Sequence, residues 1–224
     1  NLVNILNLGN QPLANSLINS KKDNEEKYPL SISFCEKSSL LQLNETINKE
    51  ILFDHYVWVS GTSKTTLSYA NTFTDRLISN LDLKQEDFII EIASNDGTFL
   101  SPFLTKGYKN VLGVDPAKNI AEIANGNGVN TLPEYWSSSL ANQIVADSGK
   151  ARVVFARNII PHVRELLDVM KGIEFVLKDD GVGIIEFHDA GIILKELHYD
   201  SIYHEHLCYF SIESMTYLLN RFAL

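Results

Sequence analysis

The chain has 224 residues, enough to bury a core of its own, with one main domain and a small appendage as the starting expectation. Lys and Arg number 19 against 28 Asp and Glu, a formal charge of −9, which argues against nucleic acid as the main partner because phosphate binding wants a basic face. No apolar run reaches membrane-spanning length, no signal peptide opens the chain, and Cys35 and Cys208 cannot build a disulfide framework, so a cytoplasmic protein without a membrane partner is expected.

Residues 1–48 read as the appendage. The segment 8–15 (LGNQPLAN) is irregular, and 21–27 is a charged, solvated loop. Residues 28–34 (YPLSISF) alternate apolar and polar like a half-buried strand, and Leu40, Leu41 and Leu43 suggest a second, giving a small N-terminal β-hairpin module. Cys35 sits in that hairpin as Cys-Glu-Lys-Ser. A zinc ribbon needs two C-x-x-C knuckles, and here Ser38 stands where a second cysteine would be. A hydroxyl is a poor zinc ligand, so no metal is expected and Cys35 reads as a small buried thiol. Residues 49–83 read as linker and helix. Phe53 to Ser63 (FDHYVWVSGTS) is aromatic-rich, and Ser63 can cap a helix over 64–81 that carries Leu67, Ala70, Phe73, Leu77 and Ile78 near helical spacing.

From residue 84 to 224 the pattern alternates. Strands are expected at 87–92, 110–114, 128–132, 151–156 and 181–187, and helices at 97–106, 117–126, 137–147 and 163–178. Such alternation predicts an α/β fold, a Rossmann-like doubly wound parallel sheet with right-handed crossovers. Ligands of such sheets sit outside the carboxyl ends of the strands.

The first of these strands runs into the stretch DFIIEIASNDGTFL, a buried strand feeding a polar turn and a helix. A dinucleotide fingerprint wants three glycines; here Ala93 and Asn95 take the earlier places and only Gly97 remains. Glu91 and Asp96 bring two carboxylates beside Ser94. Carboxylates repel a pyrophosphate but suit a ligand with an ammonium and a sulfonium, so the loop reads as a site for S-adenosyl-L-methionine. Asp115, followed by Pro116, ends the next strand where a ribose-hydroxyl acceptor is expected. Arg157 and Asn158 end the fourth strand, with His162 slightly further on. Glu134, Tyr135 and Trp136 follow the third, and Trp136 reads either as an adenine wall or as a helix-packing residue.

The densest set of chemical groups is DSIYHEHLCYFS, 200–211, with Tyr203, His204, Glu205, His206 and Tyr209 in seven positions. An extended backbone would put His204 and His206 on one face and Tyr203 and Glu205 on the other. From residue type alone three readings stand: a metal site, a hydrogen-bonded surface loop, or a catalytic loop with a histidine base.

The combination EIASNDG, ARNIIPH and DSIYHEHLCYFS, with LGNQPLANSL and FDHYVWVSGTS, resembles the S-adenosylmethionine-dependent C-methyltransferases of deoxysugar biosynthesis, which act on nucleotide-linked keto-sugars. The resemblance covers nearly the whole chain in collinear order. It implies a class I methyltransferase domain, an N-terminal zinc-binding module and a sugar-nucleotide substrate. It implies His206 as the base that removes the proton next to the sugar ketone, with Tyr203, Glu205, His162 and Tyr56 as active-site partners.

The sequence departs from the family in lacking a first zinc knuckle, in Ser38, and in stopping before the last two strands of a seven-stranded sheet. Residues 1–48 are therefore expected to be the remnant of a zinc-ribbon-like module, and 84–224 a C-terminally incomplete cofactor domain. The other readings are a small-molecule O- or N-methyltransferase and a truncated, non-catalytic cofactor-binding domain.

Overall fold

The computed structural model describes residues 1–18, 20, 25–48, 52 and 59–224. In chain order the strands are β1 (Leu2–Pro12), β2 (Lys27–Cys35), β3 (Leu40–Leu43), β4 (Ile89–Ile92), β5 (Val111–Val114), β6 (Thr131–Leu132), β7 (Ala151–Arg157), β8 (Leu177–Glu186) and β9 (Cys208–Tyr209). The α-helices are α1 (Lys64–Asn80), α2 (Ser101–Thr105), α3 (Lys118–Gly126), α4 (Ser138–Ser148), α5 (Leu166–Val176), α6 (Ala190–Lys195) and α7 (Ile212–Leu219). Among the described residues no helix is long and apolar enough to cross a membrane. The chain divides into two compact units, one of Asn1–Asp54, Ile160–Arg164 and Phe187–Ala223, the other of His55–Ile159, Glu165–Glu186 and Leu224.

The first unit is built on an antiparallel sheet of order β1-β2-β3-β9. The expected hairpin is its centre, with Ile32 opposite Leu43 and Phe34 opposite Leu41. The irregular segment at 8–15 belongs instead largely to an edge strand, β1. Its alternation is hidden by register shifts between Asn4 and Leu6 and between Asn7 and Asn10, and by Gly9 at φ +70°. Residues 187–223 join this unit, whereas the sequence pattern runs them on into the cofactor domain. The reason is packing: β9 pairs with β3, and Ala190, Ile193, Ile202 and Tyr209 are buried with Leu30, Ile32, Leu41 and Leu43.

The second unit is a parallel sheet of order β6-β5-β4-β7-β8 flanked by helices. Every residue of β4 and β5 is buried, as expected for strands covered on both faces. Helix α1 starts at Ser63, whose hydroxyl accepts the Thr66 N–H at 3.4 Å. Its Ala70 and Phe73 enter a core with Ile89, Phe99, Leu100, Phe103, Val153 and Phe155. The helix expected at 97–106 is shorter: α2 begins only at Ser101, because Gly97 (φ +79°) follows Asn95 (φ +50°) in a turn that a helix cannot contain. The strand order reverses between β4 and β7, so the carboxyl ends of these two strands bound the switch point where such sheets bind ligands.

Candidate functional site

At the end of β4 the backbone turns through Ala93 (φ +55°), Asn95 (φ +50°) and Gly97 (φ +79°). Gly97 has no alternative, since a Cβ there would lie 2.8 Å from Val129 Cβ. The turn is tied to β5 by Asp115, whose two oxygens accept the N–H groups of Asn95 and Ala117, both at 2.9 Å. That ring of bonds fixes Pro116 beyond the strand end. Asp115 keeps lone pairs for further donors, and burial raises its pKa against the pull of those two N–H groups.

Glu91 is 2% exposed, and among the described residues its Oε2 has no hydrogen-bond partner, nor has the equally buried Ser94 hydroxyl. Burial pushes the Glu91 pKa well up, Arg157 draws it down, and Asp115, Asp96 and Glu186 push it up further. A concentration of carboxylates with unsatisfied oxygen suits a cationic ligand and opposes a pyrophosphate. Asp96 differs: its oxygens already accept from Thr98 and Gly61.

Arg157, at the end of β7, grips Glu186 with two nitrogens, Nη2 at 2.9 Å and Nε at 3.3 Å. Its guanidinium lies 3.3 Å above the Phe99 ring centroid, and Tyr69 donates to the same Glu186 carboxylate at 2.8 Å. Asn158 (φ +53°) donates its side-chain amide to Glu186 at 3.0 Å. Both residues stand at the switch point, with these polar groups engaged by Glu186. Trp136 is buried, and its indole N–H donates to the Val169 carbonyl of α5 at 3.2 Å, so one edge of the ring packs on a helix.

In the first unit the YHEH string is a turn rather than an extended strand, closed by the His206 N–H donating to the Tyr203 carbonyl at 3.2 Å. The expected separation of Tyr203 from His206 is therefore overturned: the Tyr203 hydroxyl lies 2.9 Å from His206 Nε2. His206 Nδ1 lies 3.0 Å from the Ser201 carbonyl, which can only accept, so Nδ1 carries the proton and Nε2 the lone pair. Burial lowers the His206 pKa, the Ser201 carbonyl opposes this, and His188 adds to the lowering. The His162 ring stands edge-on to His206, with centroids 4.7 Å apart. Glu205 is buried and accepts from Asn15 Nδ2 at 2.7 Å; burial raises its pKa and Asn15 opposes the rise.

His204 is 1% exposed and points away from this group, donating through Nε2 to the Tyr28 carbonyl of β2 at 3.2 Å. The turn thus sorts its two histidines, one as a tether to β2 and one with its Nε2 lone pair turned to the Tyr203 hydroxyl. Tyr56 lies outside the described residues. Sequence reasoning missed Asn15, Ser201 and the turn at 60–62; Asn15 lies inside the quoted LGNQPLANSL segment, but nothing local ties it to Glu205.

Residues 1–53 match a family model described as a putative zinc binding domain. The donor set here does not fit zinc. Cys35 is accompanied by Ser38, whose hydroxyl and N–H hold the thiol pKa down, and burial pushes the Cys208 thiol up to about 11. Among the described residues no three His, Cys, Asp or Glu side chains gather as a ligand set. Elemental analysis of the purified chain should find no stoichiometric zinc, and one retained equivalent after dialysis would contradict this.

Residues 67–224 match a family model described as a methyltransferase domain. The chain is 30% identical over 224 residues to C-methyltransferase NovU of Streptomyces niveus, covering 99% of this chain and 53% of that one. It therefore spans about half the length of that curated relative. Among solved structures it is similar to the PH0226 protein of Pyrococcus horikoshii, with TM-score 0.58, 17% identity, and coverage of 79% of this chain and 90% of the other. It is also similar to a SAM-dependent methyltransferase of Archaeoglobus fulgidus, with TM-score 0.54, 14% identity, and coverage of 68% and 67%. The parallel sheet, its acidic loop at the switch point and the match over residues 67–224 agree: the chain belongs to the methyltransferase-domain family, with the class I S-adenosylmethionine-dependent fold.

Proposed function

We propose that this chain carries the cofactor loop and the base of a C-methyltransferase that acts on a nucleotide-linked keto-deoxysugar. The observation that carries the reading is His206, neutral by burial, with Nδ1 locked to Ser201 and its Nε2 lone pair facing a tyrosine hydroxyl. S-adenosylmethionine supplies, when bound, a methyl group made electrophilic by the sulfonium. Glu91 and Ser94, the buried groups without partners, hold its charged end, and Asp115 its ribose.

A carbon beside a ketone becomes nucleophilic only by losing a proton. His206 Nε2 takes that proton, and the electron pair passes into an enolate. The hydroxyl of Tyr203, freed from Nε2 as the nitrogen is protonated, and the His162 ring are the donors for the enolate oxygen. Glu205, braced by Asn15, orients a substrate hydroxyl. The resemblance of the chain to a C-methyltransferase supports carbon as the acceptor. The test is to offer nucleotide-linked keto-deoxysugars with labelled S-adenosylmethionine to the full natural protein and locate the methyl by NMR. A methyl on carbon next to the keto group is expected; a methyl on oxygen or nitrogen overturns the reading.

The raised Glu91 pKa gives a pH test of the cofactor site. The ionised carboxylate is the form that attracts an ammonium, and the raised pKa keeps Glu91 protonated to higher pH. Affinity for S-adenosylhomocysteine should therefore climb as pH rises through that raised pKa. Glu91→Gln should bind more weakly and flatten the climb in calorimetric titrations. An unchanged slope in the variant would remove Glu91 from the site.

A further inference from the structure

The short turn Ser60–Thr62 lies against the cofactor loop 35 residues further along the chain. The Ser60 N–H donates to Asn95 Oδ1 at 2.9 Å and the Gly61 N–H to Asp96 Oδ2 at 2.9 Å. The other Asp96 oxygen accepts the Thr98 hydroxyl at 2.6 Å and the Thr98 N–H at 3.2 Å. A Cβ on Gly61 would lie 2.6 Å from Asp96 Oδ2 and 2.9 Å from Thr98 Oγ1, so the Gly61 backbone meets these two side chains with no room for one of its own.

We propose that the Ser60–Thr62 turn is a positioning element for the cofactor loop, and that Asp96 acts through this turn rather than by touching the cofactor. The loop holds Asn95 and Gly97 in left-handed backbone, a conformation that persists in a non-glycine residue only when the surroundings fix it. Beside the bond from the Asn95 N–H to Asp115, the ties that fix it come from residues 60 and 61. The polar groups at the strand end also divide into two sets. Among the described residues Glu91 Oε2 and Ser94 Oγ are buried without partners, whereas Asp96 is 8% exposed with three donors on its two oxygens. The carboxylate of Asp96 thus serves the shape of the loop, and the strain at Asn95 is held from outside it.

The inference rests on S-adenosylmethionine being the cofactor, and its test separates the two. S-adenosylhomocysteine is titrated into wild type, Gly61→Ala, Asp96→Asn and the double variant, and amide exchange at Ser60 and Gly61 is followed with and without it. Asp96→Asn keeps one oxygen for Thr98 but turns an amide N–H toward the Gly61 N–H. Each single variant should bind about tenfold more weakly, the worth of one hydrogen bond to a charged group. The double variant should be no weaker than the weaker single, and in wild type the ligand should slow exchange at Ser60 and Gly61. Thr98→Ser, which keeps the hydroxyl, should retain wild-type affinity.

Additive losses, or exchange at Ser60 and Gly61 indifferent to the ligand, overturn the proposal, as does a lowered melting temperature with unchanged affinity. If Gly61→Ala does not fold, Asp96→Asn and the exchange measurement decide. No binding by wild type overturns the cofactor reading, and the inference with it.

Discussion

His206→Ala is expected to reduce methyl transfer by about a hundred- to ten-thousand-fold while leaving S-adenosylhomocysteine affinity unchanged, the loss typical of removing a general base. It should also stop exchange of the substrate's alpha proton in deuterated water, measured with S-adenosylhomocysteine in place of the methyl donor. Retained exchange would move the base to His162, because the His204 ring is buried and its Nε2 is given to the Tyr28 carbonyl. Rapid methyl transfer with no exchange in wild type would sink the carbon-acid mechanism altogether.

The lowered His206 pKa adds a signed expectation. The base form exists above that pKa, so the acid limb of the rate profile should fall below the ordinary histidine value of about 6.5. Between the lowered and the ordinary value the unfolded chain binds a proton that the folded chain does not, so stability should rise with pH across that window. His206→Ala should erase that rise. Tyr203→Phe should keep the base but remove its hydroxyl partner, leaving proton exchange slower rather than abolished.

What was legible in the sequence followed from local pattern. The runs IIEI and VLGV give buried parallel strands because their apolar residues are contiguous, and Ser63 caps α1 because a hydroxyl before a helical run can satisfy a free N–H. The acidic, glycine-poor stretch pointed to the kind of cofactor because Glu91 in β4 and Asp96 in the turn after it lie close together in the chain.

The features that escaped are those made by distant partners. Residues 8–12 look irregular because the strand they close, β1, is an edge strand, with Leu2, Val3 and Ile5 about half exposed and its register broken twice. Nothing local shows that β9 closes a sheet with β3, or that Asn15 reaches Glu205, 190 residues away. The YHEH string suggested alternating faces because a period of two is the default for an extended run. The bond from the His206 N–H to the Tyr203 carbonyl makes it a turn, and so places the Tyr203 hydroxyl on the imidazole.

Phe155→Ala should cause the largest loss of stability in the second unit, about 3–5 kcal/mol for emptying a buried aromatic site. Phe155 is fully buried in β7, its ring centroid 5.2 Å from Phe73 and 6.4 Å from Phe103. Phe73 in turn packs edge-on against Phe99 at 5.8 Å, and the guanidinium of Arg157 rests on Phe99. Residues 155 and 157 project from one face of β7, so the cavity would open directly beneath the Arg157–Glu186 pair.

A domain of ordinary stability holds about 5–15 kcal/mol in all, so the variant should sit near its unfolding threshold. Denaturant unfolding followed by amide protection in β4 and β7 would measure the loss. S-adenosylhomocysteine at a hundred times its dissociation constant should return about 2.7 kcal/mol by mass action, provided the loop still binds. Phe155→Leu, which keeps most of the volume, should lose less than about 1.5 kcal/mol. Equal losses for the two variants would mean that the aromatic contacts, rather than the filled volume, hold this core. A loss below about 1 kcal/mol for Phe155→Ala, far under the usual range for such a truncation, would mean that the core collapses around the gap and that Arg157 does not depend on it.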